Sequence, residues 1–321
     1  MAVAFDPQTG LPADLLEYTP DVSVYDAMVE RHGPPAWLDE LDTRSGDPFV
    51  HMGTHATPLD TWLLADDARD MELALKRRLI AERPDTVFGC LATADEAAHE
   101  LLREVVAWLA RQGLAHDPPD PSEHPLMAAG RLVQDDLCLM IRRDDDWHFD
   151  GGTVCFPSLW RMRDRLGQAT TTLHETVPHY DTVSDRVDRF FDRLQPDKVV
   201  WRRNWSIKPY PYLHLATSKT ELPLAVHDVA PDGSPCWLRT ERQTLRRLPE
   251  SDAIVFVIKV QMARAGVLRQ RPDVARALAT MYRTWDEPMR RFKFAGSDLF
   301  VSFVAWLDSI SARNSVGSGD Q

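Results

Sequence analysis

Apolar positions fall first at helical spacing and later at strand spacing. Residues 66–83 place Met71, Leu75 and Leu79 on one stripe, with Leu73 and Ile80 beside it, and Pro84 ends the run. Residues 95–112 repeat the pattern through Ala98, Leu101, Leu102, Val105, Trp108 and Leu109, and Gly113 supplies a stop. Residues 52–64 read as a turn leading into a helix, and 116–125 as a proline-rich loop. From Gly130 the period shortens. Residues 130–141 and 147–158 are β-rich runs joined by Arg142-Arg143-Asp144-Asp145-Asp146, the pattern of a hairpin. Ser158 stands where it would cap a helix over 159–166, closed by Gly167. A second helix is expected over 182–194, its apolar face being Val183, Val187, Phe190, Phe191 and Leu194. Three further strands are expected at 199–207, 237–245 and 253–262, and a helix at 272–285.

The fold class expected from this order is α+β, an antiparallel sheet flanked by helices with an N-terminal helical portion. Residues 1–50, rich in Pro, Gly and Asp, read as an arm draped over the body. The body is one domain over 51–308, and the tail from Ser309 is expected to be disordered. A loop at 208–235, heavy in Pro, Tyr and His, is long enough to be functional or mobile.

Composition narrows the function. The chain has 321 residues, 44% of them hydrophobic, and is large enough for a sizeable core. Its net charge of −12 argues against a nucleic-acid partner, because phosphate backbones need clustered Lys and Arg. No apolar run reaches membrane-spanning length, and no signal peptide pattern opens the chain. Cys90, Cys138, Cys155 and Cys236 are scattered without CxxC pairing, which suits reduced thiols in a cytoplasmic protein and disfavours a zinc or iron–sulfur site.

Candidate chemistry concentrates between Gly130 and Ile207. His174 lies in Leu173-His174-Glu175-Thr176-Val177-Pro178-His179-Tyr180, where Pro178 prevents a continuing helix. His174 and His179 are five apart, whereas two histidines on one helical face need three or four, so zinc is a poor reading. A lone neutral imidazole leaving a loop can serve as an iron ligand, although a lone histidine is more often bonded to a backbone carbonyl. His148, His55 and His51 are the other candidates. On 199–207, alternation gives Trp201, Arg203 and Trp205 one face and Arg202 and Asn204 the other. On 237–246 it groups Arg239, Glu241, Gln243 and Leu245. Guanidinium groups recognise carboxylates, and a half-buried Glu241 must be paired or used. Glu241 is therefore set to bind an amine or to orient Arg203. Asp150, before Gly151-Gly152, is a second carboxylate able to line a pocket. No GxGxxG, GxxxxGK[ST] or GxSxG motif stands in a fitting context, so the chain lacks a nucleotide loop and a nucleophile elbow of its own.

The succession RLVQDDLCLM, GGTVCFPSLWRMRDRLG, LHETVPHY, DRFFDRLQP, WRRNWS and LRTERQTLRRLP is collinear with one family. Over 48–294 the chain resembles the haem-dependent oxidative N-demethylase alpha-subunit family. The resemblance implies a PAS-like sheet holding a b-type haem, with a histidine at the LHETVPHY motif, hence His174, as iron ligand. With a haem expected, the strand residues Arg202, Arg203, Asn204, Arg239 and Trp201 are the candidates to surround it, and Glu241, Asp150 and His179 are the catalytic candidates. His179 departs from the family pattern, where a glycine is expected; it either occupies the distal side or faces solvent. The implied activity is oxidation of a secondary or N-methyl amine by dioxygen with release of formaldehyde, electrons coming from a flavin and iron–sulfur partner. Two other readings stand beside it: a haem-based sensor or carrier, and a haem enzyme acting on a different nitrogen compound in a specialised biosynthetic pathway.

Overall fold

Asp144 and Asp145 both take positive φ, 53° and 65°, the backbone a two-residue hairpin turn demands and Asp tolerates better than most residues. That turn folds β3 (Asp136–Arg143) onto β4 (Asp146–Thr153). In the computed structural model, residues 5–43, 53–173, 184–218, 228–294 and 297–313 are described. Beside the hairpin run β5 (Val199–Lys208), β6 (Trp237–Arg247) and β7 (Ile254–Arg264), with short strands β1 (His55–Thr57) and β2 (Phe88–Cys90) at the two edges. All neighbours are antiparallel, in the order β1-β5-β6-β7-β3-β4-β2. The helices are α1 (Ser23–His32), α2 (Arg69–Glu82), α3 (Pro84–Val87), α4 (Asp95–Arg111), α5 (Pro125–Leu132), α6 (Thr170–Leu173), α7 (Ser184–Arg193), α8 (Pro272–Thr284), α9 (Glu287–Phe294) and α10 (Ser297–Arg313). The α+β class and the antiparallel sheet flanked by helices match the sequence expectation.

Several local expectations are corrected. Residues 125–132 are helical rather than the opening of a strand: Pro125 sits at the first turn and the His124 ring accepts from the Leu126 N–H. Gly130 lets α5 ride close on β4, since a Cβ there would come within 2.4 Å of Thr153. No α-helix forms over 159–166. Leu159 has φ 63°, incompatible with a helix start, and only Met162–Asp164 make a 3-10 turn. Residues 52–64 yield the edge strand β1 and a 3-10 turn at Leu59–Thr61 among the described positions. The arm contains α1 and buries Leu11, Leu15, Tyr18, Tyr25, Trp37 and Leu38. Helix α10 carries ordered structure past Ser309 to Arg313.

Strand alternation gives the sheet two working faces. One carries Leu137, Leu139, Val199, Val255 and Val257 against α4 and α5, and Trp205, Ile207, Leu238 and Ala263 against α8 and α10. The opposite face carries Cys138, Met140, Trp147, Phe149, Val200, Leu245, Phe256, Ile258 and Val260, covered by Leu173 of α6 and by Val187, Phe190 and Phe191 of α7. Helix α7 is tied down there. The Trp147 indole donates to Asp192, and the Arg247 guanidinium donates to the Phe191 and Leu194 carbonyls at 2.6 Å each.

A buried charge network surrounds the middle of β7. Lys259 pairs with Glu72 of α2 and lies 3.4 Å from Asp66, while Gln134 donates to Glu72 at 2.7 Å and to Asp66 at 2.8 Å. Burial opposes the Lys259 charge, but Glu72 and Asp66 outweigh it and hold its pKa above the ordinary lysine range. Breaking a buried pair costs more than the pair contributes, because the remaining charge stays desolvated. Lys259→Met is expected to destabilise the fold by about 3 kcal/mol, read as a lower guanidinium midpoint. Adding Glu72→Leu should restore part of that loss; an unchanged midpoint in the single variant would refute the network's role.

Candidate active site

The face under α6 and α7 combines an apolar floor with a row of polar side chains. Register pairs Arg202 with Gln243 and Asn204 with Glu241, so all four project to one side, as does Arg239. Arg202 Nε donates to Gln243 Oε1 at 2.7 Å, and Gln243 Nε2 donates to Glu241 Oε2 at 2.9 Å. From the other flank, Lys293 Nζ of α9 donates to Asn204 Oδ1 at 2.9 Å, and Asn204 Nδ2 donates to Glu241 Oε2 at 3.2 Å. Guanidinium and ammonium only donate and a carboxylate only accepts, so both amides have one possible orientation. The result is a symmetric row: cation, amide, carboxylate, amide, cation. Glu241 Oε2 is pinned from both sides, and Oε1 has no partner among the described residues. Arg202, Asn204 and Glu241 are half-buried.

The other sequence candidates are elsewhere or already engaged. Arg203 is on the opposite face, where its guanidinium binds Glu40 at 2.8 Å, Thr240 at 2.9 Å and Gln261 at 3.0 Å. Arg239 is on the site face but fully buried, donating to the carbonyls of Phe156 at 2.7 Å, Leu213 at 3.1 Å and Tyr212 at 3.2 Å; burial lowers its pKa. Trp201 sits on the opposite face at the β1 edge, its ring 5.4 Å from that of His55. Asp150 is buried at a bulge in β4 and held by Thr93 at 2.5 Å and Arg143 at 2.9 Å. The structure therefore brings Arg202, Asn204 and Glu241 together and keeps Asp150, Arg203 and Trp201 away from them. His174 and His179 lie outside the described residues, as does His51.

Two features escaped sequence reasoning. Lys293 belongs to the row through a partner 89 positions away, a contact no local pattern signals. Burial pulls its pKa down to about 8, with Glu241 partly offsetting the effect. His214 lies in the Pro- and His-rich loop that did stand out. Its Nδ1–H donates to the Cys155 carbonyl at 2.7 Å, which leaves the Nε2 lone pair buried and without a partner among the described residues. Burial pulls its pKa to about 4, so the ring is neutral at physiological pH.

Metal chemistry on side chains alone has one candidate among the described residues, Cys90, Asp95 and His124. His124 Nδ1 accepts the Leu126 N–H at 3.2 Å, so Nε2 carries the ring proton and has no lone pair for an ion. Burial pushes the Cys90, Cys155 and Cys236 thiols up to about 12 and Cys138 higher still, which makes all four poor nucleophiles.

The stretch 111–297, well over half of the chain, matches the family model described as haem-dependent oxidative N-demethylase, alpha subunit-like. The chain belongs to this family. Membership covers β3–β7 in full and every member of the polar row, Lys293 included. The family name carries haem dependence, and its alpha-subunit label points to assembly with other subunits. The described residues suit that cofactor. A planar macrocycle needs a flat apolar bed, and Val200, Leu173, Val187, Phe190 and Phe256 line the site face while only partly buried. Its propionates need cationic donors, and Arg202 and Lys293 stand at the border of that bed.

Proposed function

We propose that this chain is the haem-bearing subunit of an oxidase that performs oxidative N-demethylation of a secondary or N-methyl amine with dioxygen and electrons from a partner. The family match over 111–297 carries this reading. A PAS-like architecture is supported by the five longer strands: a hairpin, a helical crossover, then three strands in succession, ordered β4-β3-β7-β6-β5 so that the first lies beside the last. The cofactor is haem b, held without covalent linkage because the sequence has no CxxCH. His174 would ligate the iron and Arg202 would bind a propionate, with Asn204 beside it on the same face; Arg203 and Trp201, on the opposite face, and Arg239, engaged by three carbonyls, are set aside. Bound there, the haem activates dioxygen.

The chain's own residues bind and orient the amine. Glu241 Oε1 accepts an N–H of the protonated substrate, while Asn204 and Gln243 hold the carboxylate in one rotamer. The apolar bed excludes water around the N-methyl group. His179 remains a catalytic candidate, and Asp150, which bridges Thr93 and Arg143 at the β4 bulge, would act only at a distance. No helix among the described residues is long and apolar enough to cross a membrane. Four unpaired cysteines support a cytoplasmic location.

The test is an absorption titration. Protein purified with ample haem supply, or titrated with hemin, is expected to develop a Soret band saturating at one haem per chain. It should also release formaldehyde from an N-methyl amine when reduced by a reconstituted electron donor. Absence of hemin uptake would sink the reading. Reversible gas binding with no amine oxidation would favour a sensor or carrier.

A further inference from the structure

Arg143, the last residue of β3, has its guanidinium gripped by a carboxylate that water does not reach. Asp150 has no exposed surface. Its Oδ2 accepts Arg143 Nε at 2.9 Å and its Oδ1 accepts Nη2 at 3.1 Å, a bidentate pair that fixes the plane of the fork. Thr93 Oγ1 donates to the same Oδ2 at 2.5 Å. Held in that plane, Nη2 also donates to the Gly167 carbonyl at 2.9 Å. Gly167 takes φ 81°, a left-handed angle that suits glycine. Its N–H donates to the Phe149 carbonyl at 2.6 Å, the Phe149 N–H donates to the Gln168 carbonyl at 2.9 Å, and Ala169 bridges His148. Residues 167–169 thus run along the β4 edge and lead straight into α6. There the Leu173 N–H bonds the Ala169 carbonyl at 2.9 Å, and Thr170 Oγ1 donates to Asp188 of α7 at 2.6 Å.

We propose that Asp150, acting through Arg143, is a positioning residue for the haem: the pair sets where 167–173 lies, and so the point from which the chain reaches the iron ligand. This rests on the haem reading with His174 as that ligand. A surface arginine alone would hold a carbonyl weakly, because it must give up side-chain freedom and compete with water. Here the buried carboxylate has already immobilised the fork, so the bond to Gly167 needs no further ordering. Lysine is a point charge without fork geometry and cannot serve both Asp150 oxygens and the Gly167 carbonyl together. Groups one step removed from a metal ligand tune its affinity by fixing where the ligand stands, and Asp150 and Arg143 stand in that relation to position 174.

Two readouts are compared in Arg143→Lys and in Thr93→Val, which removes the other Asp150 partner and controls for general loosening. Amide exchange reads the segment and needs no haem. The Gly167 and Leu173 N–H groups are expected to exchange about tenfold faster in Arg143→Lys, and within about twofold of wild type in Thr93→Val. Hemin transfer from the holo-protein to apomyoglobin reads the ligand. It should quicken on the order of tenfold in Arg143→Lys, with an altered ferric Soret band, and change by less than about twofold in Thr93→Val. Asp150→Asn should follow Arg143→Lys in both readouts, and it carries the comparison if Arg143→Lys does not fold. Equal effects of Thr93→Val and Arg143→Lys, or wild-type haem retention in Arg143→Lys, would overturn the proposal. Failure of the haem reading looks different: the wild-type protein itself takes up no hemin. Failure of the ligand assignment shows as an intact Soret band in His174→Ala.

Discussion

Holo-protein carrying His174→Ala is expected to lose its Soret band, or to retain only a weakly bound, spectrally altered haem, while its thermal unfolding transition persists. A b-type haem keeps its place through the iron ligand and burial together, and removing the ligand takes away the stronger, directional part. Leu173, the last residue of α6, packs into the cluster over the site face, so the chain reaches position 174 from that cluster. Two competing imidazoles lie off the site face. His55 is exposed on the edge strand against Trp201, and His148 lies on β4 on the side away from Trp147 and Phe149. His214 is the serious rival, because its proton is fixed on Nδ1 and its Nε2 lone pair is unused. Yet His214 packs between Tyr18 and the Cys155 carbonyl, and neither contact belongs to the polar row. His174→Gly supplies the decisive control: added imidazole should restore the spectrum if position 174 is the ligand. An intact Soret band in His174→Ala together with its loss in His214→Ala would move the assignment.

How much of this was legible in the sequence follows the range of the interactions involved. Strands β5, β6 and β7 were readable because their alternation is a local property, and the same alternation put Arg202 with Asn204 and Glu241 with Gln243. The pairing of those two couples into one row required the β5–β6 register, which alternation does not contain. Arg239 looked like an anion-binding group because its type was read without its neighbours; in the fold three carbonyls consume it. Arg203 was diverted likewise by Glu40, from an arm whose burial depends on contacts across most of the chain. The helix expected at 159–166 failed on one backbone angle, at Leu159, and the strand expected from Gly130 failed because Leu132 and Val133 fit either period. The buried Lys259–Glu72 pair bridges 187 positions and leaves no sequence trace.

The isolated chain, given NADPH and an N-methyl amine, is expected to be inactive, with turnover appearing only when a ferredoxin-type reductase is added. The stoichiometry sets the requirement. Converting an N-methyl amine and dioxygen to the demethylated amine, formaldehyde and water consumes two electrons and two protons beyond those the substrate supplies. The sequence offers no dinucleotide loop to bind NADPH, and its four cysteines are spread through the fold, three of them buried, so no cysteine set can hold an iron–sulfur cluster. The alpha-subunit label of the family fits a division of labour in which other subunits supply these centres. Formaldehyde and oxygen uptake are measured together, since uptake alone would report futile reduction of dioxygen. With the donor present, formaldehyde should rise at least a hundredfold over the lone chain and match oxygen consumed one to one. Glu241→Gln should lower formaldehyde far more than oxygen uptake, because it removes the group that orients the amine and leaves electron entry untouched. Efficient turnover by the lone chain with NADPH would contradict the need for a partner. Rapid reduction by the donor without demethylation of any amine would redirect the search to a different nitrogen substrate.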